Sequence, residues 1–170
     1  MAKLHDLDFS DWNVMVQAFH NESDRGAAVL AGGFVENYLA VYLRSSIVDA
    51  EVADELFQPL GPLSSFSQRS AVARAFGFVS KSQYDDLAVI RRIRNHFAHH
   101  PLDSTFNTPA VAQLAAKLSQ FQVATESSPK DDRLRNRWAY LFTCGMFCGI
   151  VFQLMERRKT NPKSSKEVNS

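Results

Sequence analysis

Arg94, Asn95 and His99, in the stretch "RNHFAH", carry side chains that can work on a phosphodiester. Neutral imidazole takes a proton near pH 7, and a guanidinium stabilises a phosphate that gains charge. Arg94 with His99 as general base could therefore cleave RNA without metal, the base activating a 2′-hydroxyl. The five-residue step separates them by about 7.5 Å along a helix axis and roughly 140° around it, too wide for one face, with Asn95 partly filling the gap. By spacing alone the pattern is weak, because Arg, Asn and His also finish helices, where histidines sit beside the negative end.

The element that must position these groups is itself amphipathic. Leu87, Ile90, Ile93 and Phe97 form its buried face with Val89 on one flank, and Arg94 falls at the edge between Ile90 and Leu87. A guanidinium placed there is partly desolvated and takes a carboxylate, for which Glu36, Asp24 or Asp86 could serve. Arg91, Asn95 and His99 share a neighbouring, more exposed face. Pro101 disfavours helical geometry at His100, so the helix should end near His99. His96 and His99 could share a metal, but no acid-rich motif or matching cysteine set accompanies them, and none is expected. There is no Gly-rich phosphate loop after a strand, no nucleophile elbow and no helix-turn-helix with a basic recognition helix, so no cofactor is implied.

Apolar residues recur at helical rather than alternating spacing along the whole chain, which predicts an all-α, single-domain multi-helix bundle. The 170 residues, 45% apolar, suffice for one core. Helices are expected over Asp8–Phe19, Glu22–Ser46, Ala50–Phe57, Ser67–Phe76, Ser80–His99, Thr108–Gln120 and Asp132–Arg158. The segment "PLGPLSSF" should be a defined loop whose serines cap the next helix, and "ESSPKDD" (Glu126–Asp132) a polar connector. Residues 1–20 read as a lead-in helix, 21–158 as the domain and 159–170 as a disordered tail.

In the helix over Glu22–Ser46, Ala27, Leu30, Ala31, Phe34, Val35, Tyr38, Val41 and Tyr42 share one face, with Glu22, Arg25, Glu36 and Arg44 opposite. Gly32 and Gly33 flank Glu36. Two glycines inside a helix are costly, so close approach is expected there, either by a second chain or by a neighbouring element of the same subunit. Asn21 is the expected N-cap, with Glu22 and Asp24 at the positive end of the helix dipole.

Net charge is +1, which argues against autonomous DNA binding, since neutralised phosphates supply most of that affinity. Cys144 and Cys148 lie four apart in an apolar run and read as reduced core thiols. Met1–Ser10 lacks a signal peptide's pattern, and the cytoplasm is the expected compartment. The uncharged run Trp138–Met155 approaches the length that spans a bilayer. Arginines at both its ends (Arg135, Arg137, Arg157, Arg158) and Thr143 and Gln153 within it favour a central bundle helix and no membrane.

Six spaced segments stand out: "ESDRG" (Glu22–Gly26), "LF" (Leu56–Phe57), "GPLSSFSQR" (Gly61–Arg69), "AFGFVS" (Ala75–Ser80), "DLAVIRRIRNHFAH" (Asp86–His99) and "STF" (Ser104–Phe106). In order and spacing they resemble the signature series of the mannitol operon repressor family. The resemblance spans about Glu22–Phe121. It implies an all-α domain in bacterial regulation of carbohydrate use, repressing through contact with another protein rather than by a DNA-binding motif of its own. "RNHFAH" is also similar to the Arg, four residues, His motif of HEPN domains, which are often dimeric and sometimes ribonucleolytic; only Arg94 and His99 match that catalytic pair, with Asn95 beside them.

The leading expectation is thus a cytoplasmic regulator acting through protein contacts, as a homodimer or with a separate transcription factor. Asp24, Arg25, Glu36, Arg91, Arg94 and Asn95 are expected to form its polar junction. The rival is a metal-independent endoribonuclease or RNA-binding module using Arg94, Asn95 and His99. A direct DNA-binding repressor ranks third. The sequence names no partner, effector or operon.

Overall fold

Ser23, not Asn21, starts the first long helix. Its hydroxyl accepts a hydrogen bond from the Gly26 amide at 3.0 Å, and the chain runs helical from Asp24 to Arg44 (α1). The computed structural model describes residues 18–19, 21–100, 102, 104–127 and 131–160. Among these the remaining helices are α2 (Ala50–Phe57), α3 (Phe66–Ala75), α4 (Lys81–His99), α5 (Pro109–Ala115), α6 (Phe121–Ser127) and α7 (Asp132–Thr160), with no strand. The chain is an all-α, multi-helix bundle, as its periodicity predicts. The expected helix Asp8–Phe19 falls outside the described residues except for its last two, and the tail beyond Thr160 falls outside them entirely.

Local chemistry sets most of the helix starts. Ser65 and Ser80 each form a capping box, with Gln68 and Gln83 respectively reaching back to the cap amide. In the loop before α3, a side chain at Gly61 would place its Cβ 2.6 Å from the Leu56 carbonyl oxygen and 2.7 Å from that of Glu55, so only glycine lets the chain fold back on the end of α2.

One expected helix is shorter and is followed by another that was not expected. Thr108–Gln120 reads as continuous in the sequence, yet α5 ends at Ala115, and α6 starts beyond the expected end, at Phe121. Between them the buried Asp86 carboxylate accepts hydrogen bonds from the Ser119 amide at 2.8 Å and the Ser119 hydroxyl at 2.6 Å. A tertiary acceptor thus takes the amide that a continuing helix would pair with its own carbonyl. The expected polar connector is correspondingly shorter, since Glu126 and Ser127 belong to α6 and Asp132 opens α7.

α1 and α7 lie side by side and run in the same direction. Asp24 meets Arg137, the Tyr140 hydroxyl donates to the Ala28 carbonyl at 2.8 Å, and Arg158 reaches the Tyr42 hydroxyl at 3.3 Å. Both helices are long and apolar enough to cross a membrane, and both contribute to the core. α4 packs against α1 beside α7, with Leu87, Val89, Ile90, Ile93 and Phe97 buried, the face its spacing predicts. Phe97, Phe106 and Tyr140 form a row of mutually tilted rings with centroid separations of 5.0 and 5.6 Å, all three fully buried. Each such side chain stabilises the fold by about 1.5–3 kcal/mol relative to exposure.

Because both α4 and α7 cover α1, its buried arc differs from the expected one. Leu30 is 43% exposed, whereas Ala28, Gly32, Leu39 and Leu43 are buried.

Candidate functional site around Glu36 and Arg94

Gly32 lets α1 and α4 approach. A Cβ there would lie 2.9 Å from Arg94 Cβ and 2.7 Å from the Tyr140 hydroxyl, so the close contact expected at the glycine pair is made inside this chain, at Gly32. Gly33 has nothing within 4 Å of where its Cβ would be. One turn beyond Gly32, Glu36 points into the α1–α3–α4 junction rather than to solvent. Its Oε2 pairs with Arg94 Nη2 at 3.2 Å and its Oε1 with Arg69 Nη1 at 3.4 Å. Of the three carboxylates the sequence offers to Arg94, Glu36 is the one used. Asp24 pairs elsewhere, and Asp86 holds Ser119.

Arg69 is the member of this junction that sequence reasoning missed. Its Nε donates to the Leu63 carbonyl at 2.7 Å and its Nη2 to that of Ser64 at 3.1 Å, and its guanidinium carbon lies 5.4 Å from the Phe57 ring centroid. Burial pushes the Arg69 pKa down, and the Glu36 charge offsets part of that. The guanidinium stays charged, so one carboxylate joins two cations from two helices. Arg94 is a third exposed, Arg69 14% and Glu36 19%, which makes the junction a half-covered seam.

The other expected junction residues separate into two groups. Arg91 and Asn95 are half-buried and His99 exposed, and on α4 they fall within about 80° of one another, next to Arg94. They form an outward strip beside the seam. Arg25 is exposed on the first turn of α1 and makes no ion pair among the described residues. Arg94 and His99 stay five residues apart on one continuous helix, so within one subunit they face directions roughly 140° apart.

Asp24 belongs to a different cluster. It is buried, and its carboxylate accepts from Arg137 Nη1 at 2.7 Å, Arg133 Nε at 2.8 Å and the Phe106 amide at 3.0 Å. Arg137 also donates to the carbonyls of Phe19 and Glu22, and Asn136 to that of Phe106. Burial pushes the Asp24 pKa up, but the hydrogen bonds from Arg133, Phe106 and Arg137 outweigh it and hold the carboxyl below its ordinary value. Neither arginine carries a local signal for this role, since both lie over a hundred residues from their partner.

At the end of α4, His96 and His100 face each other with ring centroids 4.6 Å apart. Burial first, then the His100 charge, lowers the His96 pKa, so its imidazole is neutral near pH 7. Among the described residues no three His, Cys, Asp or Glu side chains converge as metal ligands.

No protein-family model, curated protein or solved structure matches the chain.

Proposed function

We propose that this chain is a cytoplasmic transcriptional regulator of the repressor type, related to the mannitol operon repressor family, which works by contacting a protein. The partner is a separate transcription factor or a second copy of the chain. The observation that carries this reading is the engagement of Arg94 by Glu36 at 3.2 Å. A guanidinium already neutralised by a carboxylate is poorly placed to stabilise a phosphate gaining charge. Beside it Arg91, Asn95 and His99 form an outward strip that a partner's acidic and amide groups can reach, on a surface whose seam holds its orientation. The net charge of +1 is in keeping with a regulator that leaves the DNA to its partner. The resemblance supports the same reading, because its separate segments supply the seam: "LF" gives Phe57, "GPLSSFSQR" gives Arg69 and "DLAVIRRIRNHFAH" gives Arg94.

The test pairs genetics with purified protein. Deleting the gene should raise transcription of a carbohydrate-uptake operon, and the wild-type chain should restore repression. A folded Arg91→Glu, Asn95→Ala variant should fail to restore it. Two results would overturn the proposal. One is salt-sensitive, sequence-specific binding of an operator fragment by the chain alone. The other is RNA cleavage in EDTA that His99→Ala abolishes, which would establish the endoribonuclease.

A further inference from the structure

A pocket of about 270 Å³ opens between the start of α4, the turns that join α5 to α6, and the middle of α7. That is the volume of about nine waters, room for a molecule of roughly ten heavy atoms. Met146, Phe147 and Ile150 give it an apolar wall on α7, and Gln83 and Gln120 stand on its polar side. None of the residues that line it is basic, and its one charged side chain is Asp86.

Asp86 is only 7% exposed, yet it makes no ion pair among the described residues. Its two oxygens each take one neutral donor, the amide and the hydroxyl of Ser119, which also lines the pocket. Asp24 and Glu36, by contrast, each hold two arginines. A carboxylate buried this deeply is ordinarily matched by a cation, and each oxygen of Asp86 keeps a lone pair beyond the one Ser119 uses. The start of α4 does not supply the missing charge. Ser80 and Gln83 close a capping box there, and the helix dipole falls off within the first turn, whereas Asp86 stands in the second.

We propose that this pocket binds a small protonated amine carried on a short apolar stem. The ammonium donates to Asp86 and to the carboxamide oxygen of Gln120, whose Nε2 already donates to the Ser119 hydroxyl at 3.3 Å. The stem lies along Met146, Phe147 and Ile150. A lining with a carboxylate and no basic group disfavours phosphates and carboxylates, and a bare metal ion would leave the apolar wall unused. The inference is independent of the regulatory reading, since it is tested by binding to the purified chain alone.

Calorimetric titration of the full-length chain in an amine-free buffer tests it, with n-butylammonium chloride as the probe. Butylammonium should bind saturably, and 1-butanol and butyrate, alike in size but neutral or negative, about tenfold or more weaker. Asp86→Asn should weaken butylammonium binding by a similar factor. Because Asp86 also holds Ser119, a second variant leaves it in place. Ser82→Lys sets an ammonium at the same i, i+4 spacing by which Lys81 reaches Asp85 on this helix. It should fill the site from within, abolishing butylammonium binding and raising Tm. Butylammonium bound no more tightly than 1-butanol, or bound equally well by the wild type and Ser82→Lys, would overturn the proposal. Displacement of butylammonium by equimolar Mg²⁺ would mark a metal site and overturn it as well.

Discussion

Asp24 and Glu36 are both acids on α1 whose charges are used inside the fold, with different exposure and different consequences. Asp24→Asn removes one partner of a buried pair, and such changes cost about 3–5 kcal/mol. For a chain of this size that is a Tm fall of roughly 6–20 °C. The pH dependence follows from the depressed carboxyl pKa. Its stabilisation is fully present above the unfolded value of about 3.9 and is lost as pH falls through the lower folded value. Thermal melts from pH 6 downward should show the wild-type advantage over Asp24→Asn persisting to about pH 4 and shrinking below it; an advantage that does not change with acid would contradict the ionised assignment. Glu36→Gln strands two guanidinia, whereas Arg94→Met leaves Glu36 with Arg69. Urea unfolding should therefore rank Glu36→Gln as the more damaging, at about 1.5–3 kcal/mol against about 1 kcal/mol or less. The reverse ranking would show that Glu36 is not the shared hub. The Arg94–Glu36 pair was legible as one of three options because the wheel put Arg94 at a buried edge. The Asp24 cluster was not, because its arginines lie 109 and 113 residues away.

At the scale of helices, α1 decides most of the architecture because both α4 and α7 pack against it. Its adjacent glycines separate the cost of close approach from the cost of helix propensity. Gly32→Ala must displace Arg94 Cβ or the Tyr140 hydroxyl and should destabilise by about 1–3 kcal/mol despite alanine's better propensity. Gly33→Ala meets nothing and should stabilise by roughly 0.5–1 kcal/mol. Thermal denaturation of the two single variants checks the pair, and equal effects would remove the packing argument. The exposed Leu30 shows the limit of a one-sided projection. A wheel locates apolar residues correctly, but which of them are covered depends on where α4 and α7 lie. The break between α5 and α6 has a similar origin, since Asp86 on another helix takes the Ser119 amide and no Gly or Pro marks the place.

Across the whole molecule, one core joins α1, α4 and α7, and Cys144 and Cys148 lie within it. Burial raises both thiol pKa values, the two cysteines also being close to each other, so neither presents a thiolate near neutral pH. A soluble disulfide reagent should label them only as fast as the core opens, with complete rapid labelling in urea. Rapid labelling of the native chain would mean that α7 is not packed as described. The helical class, the buried face of α4, the serine cap of α3 and the core thiols were all determined by the sequence itself, because spacing, capping and apolarity act between residues a few positions apart. The partner of Arg94, the separate cluster around Asp24, the division of α5 from α6 and the pocket beside Asp86 were decided only by the tertiary structure. Each depends on which groups from distant parts of the chain arrive within about 3–5 Å, where an ion pair or hydrogen bond can outweigh local preference.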